Sequence, residues 1–210
     1  MPSRRHASSR GPRVTRSAPF NTPWRMIQIA ADAPGLANSS LELNLNEPNK
    51  LGDVSWVKPY KYVGIWWAMH LNQKTWELGP NHGATTAETK RYIDFAAKHG
   101  FRGVLVEGWN IGWDGDWAGN GSAMQFATPA EDFDADALAQ YAKSKGVSLI
   151  GHHETGGAVS HYESQFDPAF KFAADHGEHV VKTGYVADAG QIERVNADGS
   201  VSREWHEGQC

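Results

Sequence analysis

The feature that most constrains the fold is a regular alternation of short apolar runs with amphipathic helical patterns, which begins near residue 62. Apolar runs at residues 62–69, 103–107, 147–154 and 179–185 predict four buried strands. A helical pattern lies between each successive pair of runs. Strands and helices that alternate at this spacing form βα units, so the sequence predicts an α/β fold with a parallel sheet.

Each predicted helix has a polar start signal and a glycine stop signal. The three pairs of signals are Thr85 and Gly100, Asp134 and Gly146, and Asp167-Pro168 and Gly177.

The remaining choice is between a doubly wound sheet and a closed barrel. No glycine-rich phosphate loop follows any strand, which argues against a nucleotide-binding sheet.

The length of the chain limits the barrel that it can form. A closed (β/α)8 barrel has eight units and about 250 residues, whereas only four units fit within these 210 residues. We therefore predict about the first four βα units of a partial (β/α)8 (TIM) barrel, with a short irregular or β lead-in. The expected organisation is a disordered Arg-rich leader (1–17), a lead-in with a β-prone run at 24–30 (18–60), and the N-terminal half of the barrel (61–210).

Charge and hydropathy exclude two classes of partner. The chain has 20 basic and 24 acidic residues, and five of the basic ones are arginines within residues 1–16, a stretch without any acid. The remaining chain is therefore acidic, which disfavours a nucleic-acid surface. No run of about 18 apolar residues occurs, so no membrane span is expected, and the Arg-rich start lacks the apolar region of a secretory signal.

Polar residues gather where the predicted strands end, which is the active face of a (β/α) barrel. Glu107 ends the second strand, His152 and Glu154 share one side of the third, and Lys182 lies in the fourth. Glu107 can also be read as an exposed loop carboxylate, and His152 as a histidine satisfied by Glu154. Lys182 can pair with a carboxylate or contact a substrate hydroxyl.

Nine tryptophans are unusually many for this length, and several follow strand ends, among them Trp66, Trp67 and Trp109. Flat aromatic faces suit sugar rings and stacked bases. Asp114 and Asp116 do not complete a calcium-loop pattern and are expected to be solvated. No nucleophile elbow occurs and the chain has one Cys, so strand-end carboxylates with tryptophans fit glycoside hydrolysis best.

Several long strings of the chain resemble glycoside hydrolase family 97. They are KYVGIWWAMH (61–70), HGATTAETKRYIDFAAKHGF (82–101), GVLVEGWN (103–110), GHHETGGAVSHYE (151–163) and VKTGYV (181–186), with PWRMIQIA (23–30) and LNLNEPNKLGDVSWVKP (43–59) upstream. The family consists mostly of bacterial α-glucosidases, with some α-galactosidases, that are commonly exported to the periplasm. Its members have an N-terminal β-sandwich, a central (β/α)8 barrel and a C-terminal β-domain.

The resemblance implies a role for each strand-end residue. Glu154 matches the glutamate that helps to activate water in the inverting branch, and His152, Glu107 and Lys182 match residues that contact the terminal sugar. One of the two adjacent tryptophans, Trp66 or Trp67, is expected at the same subsite, and Trp109 joins the expected substrate contacts as a strand-end aromatic. The resemblance also implies a calcium ion, with most of its ligands outside this chain, and an oligosaccharide substrate such as a maltose- or starch-derived α-glucoside.

Three alternatives to an inverting α-glucosidase stay open at this point. The retaining branch uses an Asp nucleophile, but no Asp occurs between Glu154 and Asp167, so inversion is favoured over a retaining α-galactosidase. A half barrel that binds carbohydrate without chemistry is the second alternative. The third, a zinc hydrolase that uses His152, His153 and Glu154, is disfavoured because adjacent strand residues face opposite ways.

Overall fold

In the computed structural model the chain forms two compact units, Met1–Val57 and Lys58–Cys210. The structure describes residues 16–22, 24–115, 121–184, 191–195 and 198–205. The expected leader therefore lies almost entirely outside the described residues.

The first unit contains one short helix, α1 (Ala33–Ala37), and a 3-10 helix, Leu41–Leu45. Asp32 caps α1 by accepting a hydrogen bond from the Gly35 N–H. The β-prone run at 24–30 is not a strand, and no strand occurs among the described residues of this unit. A strand needs a partner for its backbone hydrogen bonds, and β propensity alone does not supply one.

The second unit is built on a four-stranded parallel sheet, which confirms the predicted α/β architecture. Its strands are β1 (Tyr62–Ile65), β2 (Gly103–Val106), β3 (Ser148–His153) and β4 (Val181–Thr183), in the order β1-β2-β3-β4. The sheet does not close into a barrel, as expected for about half of the (β/α)8 fold.

Two of the three main helices begin and end where their signals predict. In α3 (Thr86–His99), the Thr85 side chain accepts a hydrogen bond from the Glu88 N–H, and Gly100 adopts the left-handed conformation. Asp134 caps α4 (Ala135–Ser144) in the same way, through the Ala137 N–H. These local signals succeed because capping needs only residues within one helical turn.

The third main helix, α6 (Phe166–Asp175), begins before the predicted Asp167-Pro168 signal. Pro168 fits inside the first turn, because the N–H groups of that turn need no intrahelical partner. Asp167 also lies inside the helix and is therefore not its cap. A one-turn helix that the sequence analysis did not predict, α5 (Val159–Glu163), precedes it.

The first predicted strand, at 62–69, is divided between two elements. Pairing with β2 ends at Ile65 opposite Val106, and the chain then turns into α2 (Trp67–His70). The carbonyl oxygen of Trp66 accepts hydrogen bonds from the N–H groups of Met69 and His70, so the apolar run continues as a helical turn. The other three strands lie inside their predicted ranges, and Glu154 comes directly after β3.

The two faces of the sheet pack differently. Val104, Val106 and Leu149 face the helices and share one buried core with Ile93 of α3 and Leu138 of α4. The intervening residues, such as Leu105 and Ile150, line a cleft on the opposite face. This second face carries the strand-end residues, because side chains alternate along each strand.

Beyond the sheet, β5 (Gln191–Val195) and β6 (Val201–Trp205) form an antiparallel pair that the sequence analysis did not predict. No helix in the part of the chain that the structure describes has the length and apolar character of a membrane span.

Candidate active site

Three of the predicted site residues meet at the carboxyl ends of β2, β3 and β4. Lys182 Nζ lies 3.1 Å from Glu107 Oε1 and donates a hydrogen bond to it, and His152 Nε2 lies 3.6 Å from the same oxygen. His152 is directly opposite Lys182 in the register of β3 and β4. Parallel pairing therefore brings together groups that are up to 75 residues apart in sequence.

His152 is an uncharged ring at this site. Burial, reinforced by the Lys182 ammonium and by His153, lowers the pKa of His152 to about 3. Because the ring is neutral, its contact with Glu107 is not an ion pair, and the separation of 3.6 Å is too long for a strong hydrogen bond. His152 Nδ1 is buried and makes no hydrogen bond to the described residues.

Glu154 is a buried carboxyl that is balanced between its two charge states near neutral pH. Only 3% of its surface is exposed, and burial raises the pKa of Glu154 to about 7, with a further rise from Glu107. The Gly156 N–H, which donates to Oε1 at 3.0 Å, and Lys182 oppose this rise in the pKa. A carboxylate with this pKa can take a proton from water at neutral pH.

The structure distinguishes the two adjacent tryptophans. The half-buried Trp66 ring lies with its centroid 5.8 Å from Lys182 Nζ and covers Gly64, where a Cβ would come within 1.7 Å of the ring. Trp67 is 63% exposed, and its ring contacts His70 instead. Of the two adjacent tryptophans, Trp66 is therefore the one that lies beside Lys182.

Trp109 lies in the helix-side core rather than beside the other site residues. Its ring stacks on Phe172 at 5.1 Å and contacts Phe133, while its Nε1 donates to the backbone oxygen of His152 at 2.8 Å. This geometry favours a packing role that supports the end of β3. A substrate contact by Trp109 stays a prediction.

Two residues beside Glu107 were missed by sequence reasoning. Trp76 Nε1 donates to Glu107 Oε2 at 3.3 Å, and His82 Nε2 lies 3.1 Å from the carbonyl oxygen of Gly108, the next residue in the chain. His82 Nδ1 also lies 2.8 Å from Asp132 Oδ2. Trp76 belongs to no string singled out in the sequence, although the high tryptophan count was a weak signal for it, whereas His82 begins the string at 82–101.

The remaining candidates lie away from this centre or contact other groups. Asp114 Oδ1 accepts a hydrogen bond from the Leu78 N–H, while Asp116 lies outside the described residues. His153 faces the helices, where its Nδ1 lies 2.9 Å from the Tyr162 hydroxyl. His152 and His153 therefore cannot face one zinc ion together, and the described residues contain no group of three possible metal ligands.

Gly121 permits the close approach of two loops next to Glu154. A Cβ at Gly121 would lie 2.1 Å from the backbone oxygen of Thr155, and backbone cannot swing aside as a side chain can. We expect Gly121→Ala to lower the free energy of unfolding by about 2–3 kcal/mol, as overpacking does, in urea denaturation. Gly115→Ala is the control, because its Cβ meets nothing within 4 Å and the variant carries only backbone strain of about 1 kcal/mol. Equal losses in the two variants would contradict the proposed clash.

Two family models match the chain. The family model described as glycoside hydrolase 97 matches residues 66–208, and the model of the glycosyl-hydrolase 97 N-terminal region matches residues 4–48. The second match includes most of the expected leader and the first part of the lead-in.

Solved structures support the same assignment. A family 97 enzyme from Pseudoalteromonas sp. strain K8, in complex with acarbose, is 60% identical with a TM-score of 0.77, over 81% of this chain and 26% of that chain. A variant of the enzyme in complex with panose matches at the same identity and TM-score.

Curated relatives are more distant. A retaining alpha-galactosidase from Bacteroides thetaiotaomicron is 32% identical over 142 residues, which are 64% of this chain and 19% of that protein. A probable retaining alpha-galactosidase from Streptomyces bingchenggensis is 26% identical over 144 residues, 65% of this chain and 19% of its own length. This chain thus spans about a fifth of these curated relatives. Because the family model covers more than half of the chain, the chain belongs to glycoside hydrolase family 97.

Proposed function

We propose that the full-length gene product that carries this chain is an inverting α-glucosidase, which hydrolyses terminal α-glucosidic bonds of oligosaccharides. The observation that carries the proposal is the buried Glu154 carboxyl, whose pKa of about 7 suits a base, beside the Glu107–Lys182 pair. In this proposal the chain supplies one catalytic carboxylate and part of the subsite for the terminal sugar.

Each residue has a separate role in the proposed reaction. Glu107 and Lys182 form hydrogen bonds to hydroxyl groups of the terminal glucose, and the neutral His152 adds a donor or acceptor without a competing charge. Glu154 orients a water molecule and accepts its proton as the water attacks the anomeric carbon. The acid that protonates the leaving oxygen is contributed by residues outside this chain, and inversion requires about 6.5–9.5 Å between the two carboxyl groups.

The substrate class is supported by the solved relatives, whose structures hold acarbose and panose. We propose a maltose- or starch-derived α-glucoside for this protein. Trp66, beside the Lys182 ammonium, offers an aromatic face against which the apolar side of a glucose ring can pack.

A retaining α-galactosidase is the second candidate, because the curated relatives carry that name. Retention needs a carboxylate nucleophile about 5–5.5 Å from the acid. The absence of any Asp between Glu154 and Asp167 favours inversion.

Calcium is proposed only for the full-length gene product. Calcium takes six to eight oxygen ligands, and the described residues offer no group of three acidic or histidine side chains that could hold it. These residues do not fit a complete calcium site by themselves, so no step of the proposed reaction depends on the ion.

We also propose a periplasmic or secreted location, which cell fractionation tests.

The proposal is tested by incubating the full-length gene product with panose, maltose and an α-galactoside, and by recording the anomer of the first product by NMR. We expect glucose to appear first as the β-anomer, because inversion at an α-linkage yields it. A first product in the α-configuration, or activity on the galactoside alone, would support the second candidate. Binding without hydrolysis would identify a carbohydrate-binding protein, and loss of activity with EGTA that returns with calcium would support the metal.

A further inference from the structure

We propose that Trp76 is a positioning residue that holds the Glu107 carboxylate in the orientation needed to bind the terminal sugar. This inference rests on the proposed function, because it concerns the same subsite. Trp76 lies 31 residues before Glu107, in the long connection between β1 and α3. Nothing in its own sequence neighbourhood marks it as part of the site.

The two oxygens of Glu107 have different partners. Oε1 accepts from Lys182 Nζ at 3.1 Å, and Oε2 accepts from Trp76 Nε1 at 3.3 Å. One bond leaves a carboxylate free to rotate about its last side-chain torsion, which is broad, whereas two bonds on different oxygens define its plane. The Lys182 side chain is 46% exposed and flexible, so the rigid indole is the better of the two anchors.

The loop that carries Trp76 is closed by backbone hydrogen bonds. The Thr75 N–H donates to the Asn81 backbone oxygen at 3.1 Å, and the Gly83 N–H donates to the Thr75 oxygen at 3.0 Å. These two bonds close the loop on both sides of the tryptophan. The backbone from which the indole projects is therefore held in place.

A stack of rings connects the same tryptophan to His152. Trp76 stacks on Trp113 with ring centroids 6.3 Å apart and an angle of 9° between the planes. Trp113 in turn stacks on His152 at 5.8 Å and 28°. One indole therefore bonds to Glu107 and supports the ring behind His152, so the two groups are placed relative to each other.

A packing role and a hydrogen-bonding role for Trp76 make different predictions. Packing depends on the shape of the ring, whereas positioning of Glu107 depends on the N–H group. Benzothienylalanine has nearly the shape of tryptophan but carries sulfur in place of the N–H. Replacement of Trp76 by this analogue in the full-length gene product therefore removes the proposed bond and keeps the stack.

We expect the analogue to raise KM for panose about tenfold, the factor that corresponds to one hydrogen bond to a charged group, with kcat within about twofold and Tm unchanged. Trp76→Phe should raise KM at least as much. Trp56 is the matched control, because its Nε1 also donates a hydrogen bond, at 3.1 Å, but to the backbone oxygen of Asp53 and not to Glu107. The analogue at position 56 should leave KM and kcat unchanged.

An unchanged KM with the analogue at position 76 would overturn the positioning role, while hydrolysis by the wild type would still support the proposed function. A lower Tm together with a lower kcat and a higher KM would assign Trp76 to packing and would also overturn the positioning role. If the wild type neither binds nor hydrolyses panose, the proposed function fails, and this inference fails with it.

Discussion

Glu154→Gln in the full-length gene product is expected to lower kcat for panose by about three orders of magnitude and to leave KM within a few-fold. Glutamine keeps the size of the side chain and its bond from the Gly156 N–H, but an amide cannot accept a proton from water. General-base catalysis contributes about 10²–10⁴ in rate, and a loss confined to kcat indicates an interaction made in the transition state. Steady-state kinetics with both proteins measures the effect.

The pH dependence of the same pair gives an independent measurement. Since the pKa of Glu154 lies near 7, the wild-type kcat should rise with pH through that value as the base loses its proton. The variant should lack this rise. The free energy of unfolding depends on pH in the opposite direction. A raised carboxyl pKa means that the fold favours the neutral form, so wild-type stability decreases as the pH rises from about 4.5 to 7. Glu154→Gln should therefore be the more stable protein at pH 8, by at most about 3 kcal/mol.

Glu178→Gln is the matched control for this prediction. Burial also raises the pKa of Glu178 to about 7, but its carboxylate lies on the helix side of the sheet, where Oε2 is 2.8 Å from the position of a Cβ on Gly151. The same chemical change away from the site should leave kcat unaffected. If the two variants have equal kcat values, Glu154 is not the base.

The sequence could predict those parts of the fold that depend on local signals. Thr85, Gly100 and Asp134 act within one turn of their helices, and each was placed correctly. Strand alternation likewise predicted that His152 and His153 face opposite ways, and their contacts with Glu107 and Tyr162 confirm it. The helix that begins at Phe166 was misplaced because neighbouring structure, rather than a capping side chain, determines its start.

The parts of the site that could not be predicted depend on contacts between distant segments. Only the fold shows that Trp66, and not Trp67, lies beside Lys182, because the division of one apolar run between β1 and α2 decides it. Trp76 reaches Glu107 across 31 residues from a loop without a motif. The pKa of Glu154 also depends on burial, which is a property of packing and not of a residue's neighbours in sequence.

Lys182→Met is expected to raise KM for panose by about 10- to 100-fold and to move the acid limb of the kcat/KM profile to higher pH. The ammonium donates to Glu107 at 3.1 Å, so its loss removes one sugar contact and leaves Glu107 without its cation. Lys182 also lowers the pKa of Glu154, so without it that pKa rises above 7 and a larger fraction of the base is protonated at neutral pH. Kinetics from pH 5 to 9 measures both changes.

Lys171→Met is the matched control, because its Nζ pairs with Asp175 at 2.6 Å on the exposed surface of α6. An exposed pair of this kind contributes about 0–1 kcal/mol, and its removal should change neither KM nor the pH profile. Lys182→Arg separates the two effects of the cation, because arginine keeps the charge but replaces a compact ammonium by a planar fork. We expect Lys182→Arg to restore the acid limb but not KM, whereas an unshifted limb in Lys182→Met would show that Glu154 titrates independently of Lys182.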